Sequence, residues 1–349
     1  MAYAFDALGD AWDATRAFLL PFDRGRWLRL ALIAFFVFGS AGGFPGGAGN
    51  TGGSFDTTTD GASDVWDGGS VGEIDVGSLG NTLVSAVPLW VIVLLVVVVA
   101  VGVLYALIGA IMEFVLYESL RSERVSVREY GRRNLGQGLR LFAFRFLVGV
   151  LGIVFFLVVL AGLVYWFFTG PTSFIAGILV LIPLIFLLGI LGGLVNLFTT
   201  EFVAPIMLAE QRGVLSGWRR FLGLFTAEWQ EFVVYGVVRF GLNIVASLAL
   251  GLFVGLFAFV LAIPFGTLGV LLWVGLSGAS QLVTLAILGL VALVYGLLLF
   301  LVALFMSVPV VTYLRYYALL VLGDVDETLD LISDRRAAIR SSETGSPGS

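Results

Sequence analysis

VPLWVIVLLVVVVAVGVLYALIGAIMEFVLY, residues 87–117, carries no charged side chain before Glu113. A helix rises about 1.5 Å per residue and the hydrocarbon core of a bilayer is about 30 Å thick, so about 20 mainly apolar residues cross it. A helix packed on a soluble core shows polar residues along its outer face. This stretch shows none, and it reads as a membrane span. Five further runs of the same kind lie at 27–44, 139–168, 174–198, 232–263 and 281–314. The whole chain of 349 residues agrees, with 59% hydrophobic residues against 12% charged and a mean hydropathy of +1.05, far from the composition of a soluble domain. The expected fold is all-α, a polytopic membrane helix bundle of six spans.

What the chain lacks narrows its chemistry. It has no cysteine and no histidine, so disulfides, thiolate nucleophiles, Ser-His-Asp and H-E-x-x-H machinery are excluded. All 19 basic residues are arginine, which excludes a P-loop of the G-x-x-x-x-G-K-[ST] type. No cofactor is implied, and no metal site either: Asp56, Asp60, Asp64 and Asp67 lack the D-x-D-x-D-G spacing of a calcium loop. Lysine-free basic usage with a pI near 4.8 fits adaptation to high salt. The acidic balance argues against nucleic acid as a partner; the lipid bilayer is the partner implied. Homo-oligomerisation and a membrane-protein partner both stay open.

Arginine placement orients the chain. Arg16, Arg24, Arg26 and Arg29 precede or open the first span, Arg121 to Arg145 fill the link between spans two and three, Arg212 to Arg239 link spans four and five, and Arg315, Arg335, Arg336 and Arg340 follow span six. Segments 45–86, 169–173 and 264–280 carry none. With six spans every arginine falls near one side, and the positive-inside rule puts that side, with both termini, in the cytoplasm of a cell-membrane protein. Residues 266–279 are expected to form a short interfacial or re-entrant piece before span six, because a seventh span would send the last arginines outside. The first run, with no basic segment before it, is expected to be an uncleaved anchor.

The links repeat. Glu113-Phe114-Val115 ends span two and Glu201-Phe202-Val203 ends span four; Arg124 and Arg212 follow at one shared offset and Tyr130 and Trp218 at another. Arg132-Arg133 and Arg219-Arg220 come next, and spans three and five open on Arg145-Phe146 and Arg239-Phe240. Trp12 and Arg16 begin a third copy. The six spans therefore read as three tandem units of interfacial helix plus transmembrane hairpin, with residues 1–322 a single transmembrane domain. Residues 1–25 are the first interfacial helix, with Phe5, Leu8 and Trp12 on its membrane face and Asp6, Asp10 and Asp13 opposite. Leu215, Trp218, Leu222, Phe225 and Trp229 form the corresponding stripe of a later copy. Residues 45–86, rich in Gly, Ser, Thr and Asp, read as a flexible acidic outer loop. Residues 323–340 read as a cytoplasmic amphipathic helix capped by Asp324, and 341–349 as a disordered tail.

Ionisable groups inside spans are costly and therefore draw attention. Here they are Glu113, Arg145, Glu201 and Arg239, all in the cytoplasmic third. Asn196 on span four, and Asn243 and Ser247 one and two turns beyond Arg239 on span five, extend a polar stripe. Two readings apply to the cluster Glu113, Arg145, Asn196, Glu201, Arg239 and Asn243. Either Glu–Arg pairs clamp neighbouring hairpins, or the cluster lines a cytoplasm-facing polar cavity of a transporter or lipid-handling protein.

On the repeated E-F-V, then E-x-R or E-Q-R, then Tyr or Trp and Arg-Arg, the chain resembles multi-pass membrane proteins of unknown function from halophilic archaea. It is more distantly similar to the membrane domain associated with glycerophosphodiester phosphodiesterases, without the catalytic barrel. The missing barrel argues against enzyme activity, and a non-enzymatic membrane protein, structural or accessory, fits every feature and is the expected role.

Overall fold

A computed structural model describes residues 3–40, 88–278 and 280–344. Among them every regular element is helical. In chain order these are α1 (Tyr3–Leu19), α2 (Arg24–Ser40), α3 (Leu89–Ser122), α4 (Val127–Arg133), α5 (Leu135–Thr169) and α6 (Pro171–Phe198). A π turn at Thr199–Val203 follows, then α7 (Ala204–Glu210), α8 (Val214–Ala227), α9 (Trp229–Gly275), α10 (Gln281–Val325), a 3₁₀ turn at Glu327–Leu329 and α11 (Ser333–Thr344). Five helical stretches are long and apolar enough to cross a membrane: Leu89–Ser122, Leu135–Phe168, Ile175–Glu210, Trp229–Gly275 and Gln281–Val325. The first expected span, 27–44, is represented by α2, and its last four residues lie outside the described residues, as does the acidic loop 45–86.

Prolines inside the long helices remove a backbone donor, and nearby hydroxyls hydrogen-bond to carbonyls around the gap. Around Pro264, the Thr267 hydroxyl donates to the carbonyls of Ile263 and Pro264, both at 2.9 Å. Around Pro309, Ser307 donates to Leu304 at 2.7 Å and Thr312 to Val308 at 2.8 Å. This corrects the expected interfacial piece at 266–279. The helix passes through Pro264 without a break, and the turn to α10 comes only after Gly275. At 47 residues, or about 70 Å, α9 exceeds even the 40–45 Å of a bilayer with its headgroups. It must tilt or project.

The two E-F-V segments share a backbone signature. Glu123 and Gln211, each ten residues beyond the glutamate of its motif, end their helices in the left-handed region with φ of 55° and 53°. Non-glycine residues enter this region at a cost, so the same offset in both links is an informative match.

Packing is concentrated at one end. In four of the five long apolar stretches, the most apolar window contains no residue buried inside the protein. The buried core instead gathers α1, the arginine-side ends of α3, α9 and α10, the π turn, α7 and α8. Neighbouring helices pair in the order α6, α5, α3, α2, α10, α9, and among the described residues no packing of comparable extent joins α6 back to α9. The described parts of these helices form an arc closed only at its packed end.

Three details of the packed end differ from expectation. On α1, Ala7, Ala11, Ala14 and Phe18 are buried; the small alanine face lets α1 lie close on α10. Asp10 sits on that inner side, 5% exposed, with its carboxylate accepting from Arg340 Nε at 3.0 Å. It is held by an ion pair across to α11 and is not part of an outward acidic face. Burial works against the Arg340 charge, yet the hydrogen bonds to Asp324 and Asp10 hold its pKa above the ordinary value. On α8 the buried residues are Val214, Gly217 and Phe221. The expected stripe straddles that face: Trp218 and Phe225 pack inward, whereas Leu215, Leu222 and Trp229 are exposed. Finally, Asp324 lies inside α10 and caps no helix. The cap is Asp326, whose side chain accepts from the Thr328 amide, and α11 starts at Ser333 and continues through Ser341 to Thr344. Residues 345–349 lie outside the described residues.

Candidate functional site

Where α3, α5, the π turn, α9 and α10 converge, five charged side chains meet. Glu113 on α3 is fully buried; its Oε2 accepts from Arg145 Nη2 of α5 at 2.8 Å and its Oε1 from Arg315 Nη2 of α10 at 2.5 Å. Glu201 on the π turn accepts at Oε1 from Arg239 Nε of α9 at 2.7 Å, and Arg315 Nη1 stands 3.9 Å from the same oxygen. Tyr235, one turn before Arg239, donates its hydroxyl to Glu201 Oε2. Arg145 Nη2 also donates to Thr200 Oγ1, and Tyr117 donates to the Thr200 carbonyl at 2.6 Å. The Arg315 guanidinium lies 5.5 Å from the Tyr117 ring centre, and Tyr235 stacks on Tyr317 at 5.1 Å.

Local sequence explains the placement. The π turn carries one extra residue per turn, a feature that re-aims side chains inside long helices; here all five residues of the turn are buried. Phe202 inserts beneath, against Phe221, Phe232 and Tyr235 at ring distances of 5.5, 5.1 and 4.8 Å. That aromatic block packs against the network beside Tyr235. Three guanidinium cations against two carboxylates leave one net positive charge, with Glu113, Glu201 and Arg315 side chains at 0%, 2% and 8% exposure. Buried charge is tolerated only when paired and hydrogen-bonded, and both carboxylates meet that condition.

Four of the six residues singled out in the chain, Glu113, Arg145, Glu201 and Arg239, are brought together, and they face one another. Asn196 and Asn243 are not part of the hydrogen-bonded network; each lies about one turn outward of it, half-buried. Arg315 was read as a flank and turns out to be the central cation. Its signal was available: it is the sole charged residue in the apolar run between Gln281 and Leu322. Tyr235 and Thr200 carried no comparable signal. Among the described residues no group of three or more His, Cys, Asp or Glu is placed to hold a metal ion.

An all-helical chain with five helices of membrane-crossing length, gathered at one end around sealed ion pairs, has the architecture of a multi-pass membrane protein. It belongs to a family of unknown function (DUF7544), whose family model matches residues 2–332. No curated protein matches it, and no solved structure does.

Proposed function

We infer that this is a non-enzymatic integral membrane protein of structural or accessory role, in which the Glu–Arg network is an internal clamp. The observation that carries the reading is the state of the two duplicated glutamates. Glu113 and Glu201 are sealed at 0% and 2% exposure and bonded to arginines of other helices, which leaves neither carboxylate free to serve as acid, base or ligand. Six spans in three tandem units are supported by the element order, since α1–α2–α3, α4–α5–α6 and α8–α9–α10 each place a helix of the packed end before two apolar helices, of which α2 is described over 17 residues. The one-sided arginines support a cell-membrane protein with both termini cytoplasmic. The lipid bilayer is the partner; the net charge of −5 disfavours nucleic acid. The lysine-free, acidic composition supports a high-salt habitat.

The competing reading is a transporter or lipid-handling protein with a cytoplasm-facing cavity around the same charges. Glu201→Gln in proteoliposomes separates them. A clamp loses thermal stability, whereas a transport site keeps its melting temperature and loses solute flux. Retained melting with lost flux would overturn the clamp.

A further inference from the structure

The exposed apolar belt fixes where the bilayer begins. On α10 exposed large hydrophobic residues run from Leu282 to Leu301, and on α6 from Ile175 to Leu194. Each run is about 30 Å of helix, the thickness of the hydrocarbon core. On α5 the belt is dense from Phe146, next to Arg145, with Leu135 and Leu139 exposed before it, and on α9 from Phe240, next to Arg239, with Trp229, Val233 and Val237 exposed before it. Arg145 and Arg239 thus stand beside the start of the dense apolar belt on α5 and α9, within a long side chain's reach of the headgroup layer.

Outward of the Glu201–Arg239 pair, which joins the π turn to α9, the described residues make no extensive packing between α6 and α9. Arg239 uses only its Nε, toward Glu201, and no described residue bonds its two terminal nitrogens. Arg145 Nε and Nη1 likewise have no partner among the described residues. One turn outward, Asn243 follows Arg239 on α9 and Asn196 precedes Thr200 on α6, and neither side-chain amide bonds to a described residue although both border lipid-exposed helix. Unpaired amides and guanidinium N–H groups are costly next to hydrocarbon. Donors in excess, one surplus positive charge and flanking apolar faces together specify an anionic head on an apolar tail.

We propose that the opening between α6 and α9 binds an inner-leaflet phospholipid, its phosphate held by Arg239, Asn243 and Asn196 and its acyl chains lying along the exposed faces of α6 and α9. The site goes beyond the clamp, which it uses only as a floor.

The test uses full-length protein, delipidated in detergent and titrated with dioleoylphosphatidylglycerol under native mass spectrometry. One retained lipid per chain is expected, with dioleoylglycerol, which lacks the phosphate, retained about tenfold less, as loss of hydrogen bonds to a charged group predicts. Arg239→Gln also breaks the Glu201 pair, so the deciding variant is Asn196→Leu with Asn243→Leu, which leaves every ion pair in place. It is expected to melt like wild type without lipid and to bind the phospholipid about tenfold more weakly. Unchanged binding by this variant, or equal retention of dioleoylglycerol, would overturn the proposal. Inorganic phosphate alone raising the melting temperature as much as the phospholipid would reassign the site to a free anion and overturn it as well.

Discussion

Replacing Arg315 with methionine removes the cation shared by both glutamates while nearly conserving side-chain volume. Glu113 keeps Arg145 at 2.8 Å but loses its 2.5 Å bond, and Glu201 keeps Arg239 and Tyr235. The network changes from three cations and two anions to two and two. Two effects compete. Loss of the guanidinium removes its own desolvation cost, but Glu113 Oε1 at zero exposure is left without a donor. Leaving a buried charge partly unpaired is the larger effect, about 3–5 kcal/mol when a partner is deleted outright. Because Arg145 remains, the lower end applies, about 3 kcal/mol. At about 1–2 °C per kcal/mol for a chain of 349 residues, the melting temperature should fall by roughly 3–6 °C in nanodiscs. The double variant Glu113→Gln with Arg315→Met should recover part of that loss, because a neutral amide replaces the stranded carboxylate. Melting of Arg315→Met within experimental error of wild type would refute the clamp, and so would a double variant less stable than the sum of its singles.

Close helix crossing makes a second prediction. A Cβ at Gly138 would stand 2.9 Å from the Ile111 backbone, whereas one at Gly136 meets nothing within 4 Å; Gly138→Ala should destabilise by about 1–3 kcal/mol and Gly136→Ala should not, read as melting temperature. Arg336 bonds Asp324 and Asp330 at 3.2 and 3.4 Å and the Leu320 carbonyl at 3.0 Å, so Arg336→Gln should free α11 for proteolysis between residues 326 and 335 with the spans intact, seen as a single early cleavage by mass spectrometry. The Asp10–Arg340 pair is partly exposed at its arginine, and Asp10→Asn should cost only about 0.5 kcal/mol, visible as faster hydrogen exchange in α11 and not as a shifted melting curve. In this cysteine-free chain Ser341→Cys offers a single thiol that should resist membrane-impermeant maleimide in intact cells; labelling there would invert the orientation.

Apolar run length made the long helices readable, because hydrocarbon demands both apolarity and internal backbone bonding along the whole segment. Their ends were less readable. Span six was ended at Leu314, yet α10 continues eleven residues further, through Arg315 and a buried run from Tyr316 to Leu322 that packs inside protein and not in lipid. Hydropathy cannot distinguish those two apolar environments, and so Arg315 looked like a flank. The Glu–Arg set was legible because duplication displayed it twice, whereas the Asp10–Arg340 pair joins residues 330 apart in the chain and has no local pattern. On α8 the stripe of large side chains only straddles the buried face, because a Cβ at Gly217 would stand 3.1 Å from the Val203 side chain. Close approach there selects the smallest residue.

The lopsided packing gives the molecule two different mechanical ends. At the arginine side, interlocked rings and ion pairs fix the perimeter, so its footprint in that leaflet is its own. At the far side the described residues of the helices touch mainly in neighbouring pairs, and the area they occupy follows the lipids between them. Thinning or stretching of the bilayer should therefore spread the far rim while the base keeps its diameter, changing the protein from a cylinder toward a cone.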